Sequence, residues 1–172
     1  GMTEQHRLRC YEYVNQPYEQ VQATLRADVN GIFKRATMMS AERANAVGAQ
    51  LHVQVGALDV ATEVQIEVGP VEDKMSSPYG YPITEFPLSW RSKHLPGLFP
   101  HMKARLQVYP LSTTETQLEL EGVYDPPLGL LGDALDALVG HRIAEASVLQ
   151  FVQDVAARLR SAMQTAPRAK TS

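Results

Sequence analysis

The chain has 172 residues, 44% of them hydrophobic and 20% charged, which suits one folded domain with a sizeable core and excludes a disordered chain. A formal net charge of -3 gives no electrostatic case for nucleic acid or an anionic membrane surface, and no apolar run reaches the length of a membrane span. The one cysteine, Cys10, excludes an intrachain disulfide and a cysteine-rich metal site.

The start of the chain, Met2-Thr3-Glu4-Gln5-His6-Arg7, lacks an apolar signal core, so a cytoplasmic location is expected. Gly1 ahead of Met2 reads as the remnant of a removed expression tag. Residues 2–163 read as one domain and 164–172, polar and carrying Pro167, as a flexible tail.

In chain order, His6 to Val14 alternates and predicts a first strand. Leu8, Cys10, Glu12 and Val14 share one face; Arg7, Arg9, Tyr11 and Tyr13 share the other. Asn15-Gln16-Pro17 breaks the strand and starts a short helix with Val21 and Leu25 inward. A second helix is predicted from about Asp28 to Val47, with Val29, Ile32, Phe33, Ala36, Met39, Arg43 or Ala44, and Val47 as its stripe and Gly48 as its stop. From Gln50 the period becomes two. Leu51 to Val55 and Val60 to Val68 read as strands, buried on one face and wet on the other. Gly69 to Pro82 reads as a long loop with Tyr79 and Tyr81 near its tip. Thr84 to Ser92 puts Phe86, Leu88 and Trp90 on one face, with Pro87 on the other marking a sheet edge or a bulge. Met102 to Val108 and Leu118 to Tyr124 complete the strands.

Asp125 to about Met163 then carries apolar residues at three- to five-residue steps, among them Leu135, Leu138, Ile143, Leu149, Val152 and Leu159. This predicts one long amphipathic helix, with Asp125 as N-cap and Pro126 at the first helical position. A helix of that length needs a large apolar partner, and the alternating strands supply one.

The order of strand, helix pair, antiparallel strands and long C-terminal helix resembles the helix-grip fold of the START-like superfamily, which includes START lipid-transfer domains and polyketide cyclases/aromatases. The resemblance covers about His6 to Met163. It is carried by Pro87-Leu88-Ser89-Trp90, Leu98-Phe99-Pro100, Leu106-Gln107-Val108-Tyr109-Pro110-Leu111 and Gly122-Val123-Tyr124-Asp125-Pro126-Pro127-Leu128-Gly129. These stretches are similar to a bacterial branch of that superfamily rather than to any named enzyme in it. The resemblance implies an α+β fold, with a curved six- to seven-stranded antiparallel sheet wrapped around the long helix and an apolar cavity between them.

The chemistry-bearing residues are few. His6, His52, His94, His101 and His141 show no metal-ligand spacing, and no nucleophile elbow or phosphate-binding loop is present, so no metal and no cofactor are expected. Cys10 falls on the apolar face, where a small buried hydrophobe is the usual role. Glu12 shares that face. It is either a solvated strand end, a structural ion pair, or a polar anchor for a ligand, with Arg142 or His141 on the long helix as partner. Phe33, Phe86, Trp90, Leu106, Tyr124 and Leu138 are the expected cavity wall, and each could equally be plain core.

The first expectation is therefore binding or transport of a hydrophobic small molecule, lipid or polyketide-like, between the sheet and the helix. The second is a cyclase/aromatase- or hydratase-type enzyme using acids and bases such as Glu12, Tyr124 and His141. The third is a protein-interaction module with a filled core. No nucleic-acid partner and no stable membrane insertion are expected, and self-association is left open.

Overall fold

The structure is a computed structural model and describes residues 6–51, 64–92, 100–125 and 134–165. Its elements are β1 (His6–Val14), α1 (Tyr18–Ala27), α2 (Val29–Gln50), β2 (Val64–Val68), β3 (Glu72–Met75), β4 (Pro82–Ser92), β5 (His101–Pro110), β6 (Thr116–Asp125) and α3 (Ala134–Thr165). The strands form one six-stranded antiparallel sheet in the order β1-β6-β5-β4-β2, with β3 also paired to β4. This is the α+β arrangement that the change of period predicts.

Alternation decides the two faces of the sheet. Cys10, Leu120, Leu106 and Phe86 lie in one row across β1, β6, β5 and β4 and point inward. Tyr11, Glu119, Gln107 and Glu85 form the adjacent outward row. Burial of the inward rows against the helices is the main driving force for this architecture. Gly122 permits a close approach of β6 to β5, because a Cβ there would lie 2.6 Å from both the Ala104 Cβ and the Lys103 carbonyl oxygen.

Pro87 occupies the place where β4 changes partner. β2 ends at Val68 opposite Leu88, and β3 begins at Glu72 opposite Glu85. A residue without an N–H costs no ladder bond at such a break. β3 lies inside the stretch expected to be a loop. Glu72, Asp73, Lys74 and Met75 are all exposed, so the strand has no buried face and leaves no apolar alternation to read.

α2 is capped by Asp28, whose carboxylate accepts from the Gly31 N–H at 3.2 Å. A Cβ on Gly31 would sit 2.5 Å from that carboxylate, so the glycine makes room for the cap. Gly48 is not a stop. It is buried in the helix, which continues to Gln50. Leu51 closes the helix in place of opening a strand, and the rest of the expected Leu51–Val55 strand lies outside the described residues.

α3 is 32 residues long, about 48 Å at 1.5 Å per residue. Asp125 is not its N-cap but the last residue of β6, paired with His101, and residues 126–133 lie outside the described residues. The expected stripe is corrected in phase. The buried face is Ile143, Ala144, Ser147, Val148, Phe151, Val152, Val155, Ala156 and Leu159, whereas Leu138 and Leu149 are 63% and 43% exposed. The five-residue step from Leu138 to Ile143 turns the helix by about 500°, so Leu138 points about 140° away from Ile143.

The partner of α3 is corrected too. Its most extensive contact is with α2, and it meets the sheet chiefly at β1 and β6. Small buried residues on both helices, Ala36, Ser40 and Ala44 on α2 with Ala144 and Ser147 on α3, allow this close approach. Ser40 and Ser147 donate their hydroxyls to the Ala36 and Ile143 carbonyl oxygens at 2.9 and 2.7 Å, so neither is left unsatisfied.

Candidate functional site

The inward row Ile66–Trp90–Met102–Tyr124–His6 crosses β2, β4, β5, β6 and β1 near one end of the sheet. Above it stands His141, near the start of α3. The Tyr124 hydroxyl lies 2.6 Å from His141 Nδ1. The His6 ring meets His141 edge-on at 4.1 Å and Tyr124 at 5.4 Å. Tyr124 is only 3% exposed, while both histidines are partly exposed. Burial, and secondarily the charge of Glu145, pushes the Tyr124 phenol above its ordinary range, so it stays protonated at neutral pH. The hydroxyl donates to Nδ1 in one imidazole tautomer and accepts from it in the other. A neutral phenol tied to a titratable imidazole can orient a carbonyl or hydroxyl group and can pass a proton.

Toward the middle of the molecule the interior is filled. The Trp90 ring packs edge-on against Phe151 at 5.0 Å, Phe151 against Phe33 at 5.4 Å, and Phe33 against Phe86 at 6.0 Å. Phe33, Phe86, Phe151 and Leu106 have no exposed surface. At the level of Phe86 and Leu106 these rings occupy the space in which an open cavity was expected. A recess of about 620 Å³ does exist at this end of the sheet, lined by Arg91, Lys103, Asp125 and other residues of the outward face and also by Trp90, Met102 and Tyr124 of the inward row. Most of its lining is outward and wet, so it is not the apolar cavity expected between the sheet and the long helix.

The polar residues expected to anchor a ligand separate. Glu12 does not meet Arg142 or His141. Its carboxylate accepts from Arg160 Nη2 at 3.1 Å, and the same nitrogen donates to the Tyr13 carbonyl at 2.6 Å. Arg142 is exposed, on the same side of α3 as Leu138. Glu12 lies six residues along β1 from His6, about 20 Å from the Tyr124 end. Of the nine residues singled out in the sequence, the structure thus brings Tyr124 and His141 together beside the Trp90 row. It places Phe33, Phe86 and Leu106 in the packed core and puts Leu138 and Arg142 outside.

His6 is the member of the cluster that sequence reasoning missed. The signal was available, since His6 has the same strand parity as Leu8 and Cys10. Arg160 was missed because only the tertiary path of α3 brings it to β1. Cys10 is an inert thiol: burial first, and the Glu12 charge second, push it up to about 12. Among the described residues, no three His, Cys, Asp or Glu side chains are grouped so as to hold a metal ion, and no helix is long and apolar enough to cross a membrane.

Neither a family model nor a curated protein matches the sequence. Solved structures do match. The ZhuI aromatase/cyclase from Streptomyces sp. R1128 is similar at 14% identity and a TM-score of 0.51, over 96% of this chain and 100% of that one. A conserved protein from Geobacillus kaustophilus matches at 12% identity and a TM-score of 0.45, over 91% and 97% of the two chains. Norcoclaurine synthase from Thalictrum flavum matches at 8% identity and a TM-score of 0.43, over 96% and 99%. At these identities the likeness is one of fold. The chain has the helix-grip fold shared with the aromatase/cyclase.

Proposed function

We propose that this helix-grip protein binds a hydrophobic small molecule bearing an oxygen function, lipid or polyketide-like, at the Trp90 end of its interior. The Tyr124–His141 pair is the polar anchor. The observation that carries the reading is the 2.6 Å hydrogen bond between a buried phenol and a partly exposed imidazole, set beside the buried apolar side chains of Trp90 and Met102. A mostly apolar site with a few convergent polar groups is the usual form of a small-molecule site. The fold shared with the aromatase/cyclase supports the same reading.

The test is native mass spectrometry of freshly purified protein, followed by titration of Trp90 emission with a panel of lipophilic ketones, phenols and fatty acids. A co-purified lipophilic mass and a saturable fluorescence change are expected. Tyr124→Phe should weaken binding about five- to tenfold, the worth of one hydrogen bond. Unchanged emission across the panel, with no bound mass, would leave the filled-core interaction module as the better reading.

The same pair favours a second reading, an enzyme of the cyclase/aromatase or hydratase kind. Here His141 would take or return a proton through Tyr124 while the apolar row holds the substrate. Conversion of a bound ligand by the parent chain, falling in His141→Ala by much more than ligand affinity does, distinguishes catalysis from carriage.

A further inference from the structure

The outward face of the sheet carries a feature that a ligand site inside the fold does not use. Tyr11 and Tyr13 of β1 are 48% and 50% exposed. Tyr13 shares a row with Gln117 and Tyr109, and Tyr109 packs against Tyr81 at 5.7 Å between ring centres. Four of the seven tyrosines of the chain therefore belong to one wet surface. An outward strand position needs only a polar residue, and rings placed there keep apolar surface in water. Tyrosine is also the side chain that protein interfaces favour, because it offers a large rigid contact for little conformational entropy.

The charges beside these rings are already offset within one copy. Arg9 pairs with Glu119 and Glu121 at 3.6 and 3.2 Å, and Arg105 with Glu121 and Glu85 at 3.4 and 3.8 Å. Lys74 donates to Glu85 at 2.7 Å. Around the tyrosines, a surface neutralised in this way does not repel a second surface like itself. Phenol hydroxyls both donate and accept, so a tyrosine patch is self-complementary across a two-fold axis. Five strands at about 4.8 Å spacing and nine residues at about 3.3 Å rise give the face roughly 700 Å². That is close to the roughly 800 Å² per partner of a standard stable interface.

We propose that a second copy of this chain docks on the outward sheet face through Tyr11, Tyr13, Tyr81 and Tyr109, sheet against sheet. The test is sedimentation velocity of the full chain from about 1 to about 300 μM, the range in which interfaces of this size associate when not tightly optimised. A reversible monomer–dimer equilibrium is expected. Tyr13→Glu should raise the dissociation constant at least about tenfold, and Tyr81→Ser should weaken it too, with unaltered circular dichroism and melting. Leu149→Glu, on the solvent side of α3, should leave the dimer unchanged. If Tyr13→Glu fails to fold, Tyr11→Ser takes its place. The proposal is overturned by a chain that stays monomeric throughout, or by a dimer that survives both Tyr13→Glu and Tyr81→Ser. It is equally overturned by a dimer that Leu149→Glu dissolves, or by one that responds to Tyr13→Glu but not to Tyr81→Ser. The last result would assign the contact to β1 at the edge of the described sheet.

Discussion

Glu12 is where a single side chain decides between readings. Its partner is Arg160, and with side chains 24% and 42% exposed the pair is still reached by solvent. Coupling in a double-mutant cycle of Glu12→Gln and Arg160→Ala should therefore be about 0.2–1 kcal/mol. Arg142→Ala should change stability by no more than about 0.5 kcal/mol. Coupling of several kcal/mol, or a large Arg142 effect, would contradict this placement. Two partly buried weak acids make a second residue-scale prediction. Burial raises the Cys10 thiol from 9.0 to about 12, and burial with the Glu119 charge raises the Tyr109 phenol from 10.0 to about 12. Both folded values lie above the unfolded ones. The stability they confer is therefore complete below the ordinary values and lost as pH rises through the folded ones. Melting temperature should be insensitive to these groups near neutrality and should fall between pH 9.0 and about 12, less steeply in Cys10→Ala and Tyr109→Phe. A wild-type profile shared by both variants would refute the assignment.

At the scale of elements, the β5–β6 ladder is closely constrained at Gly122. Gly122 faces Ala104 on β5 and Leu8 on β1, and the atoms a Cβ would meet include the Lys103 backbone oxygen, which cannot swing aside. Gly122→Ala should cost about 1–3 kcal/mol in chemical denaturation. Ala104→Gly in the same chain should recover only part of that, since the Lys103 oxygen remains. A neutral Gly122→Ala would show that β5 and β6 pack less closely than described. The same scale explains why α3 turned out of phase with its expected stripe. Its small residues, Ala144, Ser147 and Ala156, are buried because they meet another helix or strand closely, while the larger Leu138 and Leu149 remain in water. A reading that ranks positions by hydrophobicity alone puts the leucines inside.

At the scale of the whole molecule, α3 joins the two layers. It packs most extensively on α2 and reaches β1 and β6 of the sheet. Ending the chain after Gly140 removes Ile143, Val148, Phe151, Val155 and Leu159, all without exposed surface. The uncovered surface would exceed the few hundred Å² that soluble monomers tolerate, so the shortened chain should be insoluble. A soluble shortened chain with cooperative unfolding would deny α3 that role. The candidate site depends on the same helix, because His141 reaches Tyr124 only when α3 lies over this end of the sheet.

The sequence by itself determined the α+β class, five of the six strands among the described residues, the helix pair and the long helix. The reason is physical: each has one buried and one wet face, and periods of two and of about 3.6 write that division into the residues. β3 escaped because neither of its faces is buried. Tyr124 and His141 were legible as candidates from their types and faces, but their meeting was not, since it spans a β6–α3 connection whose path no local period encodes. The pairing of Glu12 with Arg160 joins residues 148 positions apart and was decided by the tertiary packing alone. So was the filling of the interior by Phe33, Phe86, Trp90 and Phe151, because periodicity says which side chains turn inward but not how far apart the layers stand.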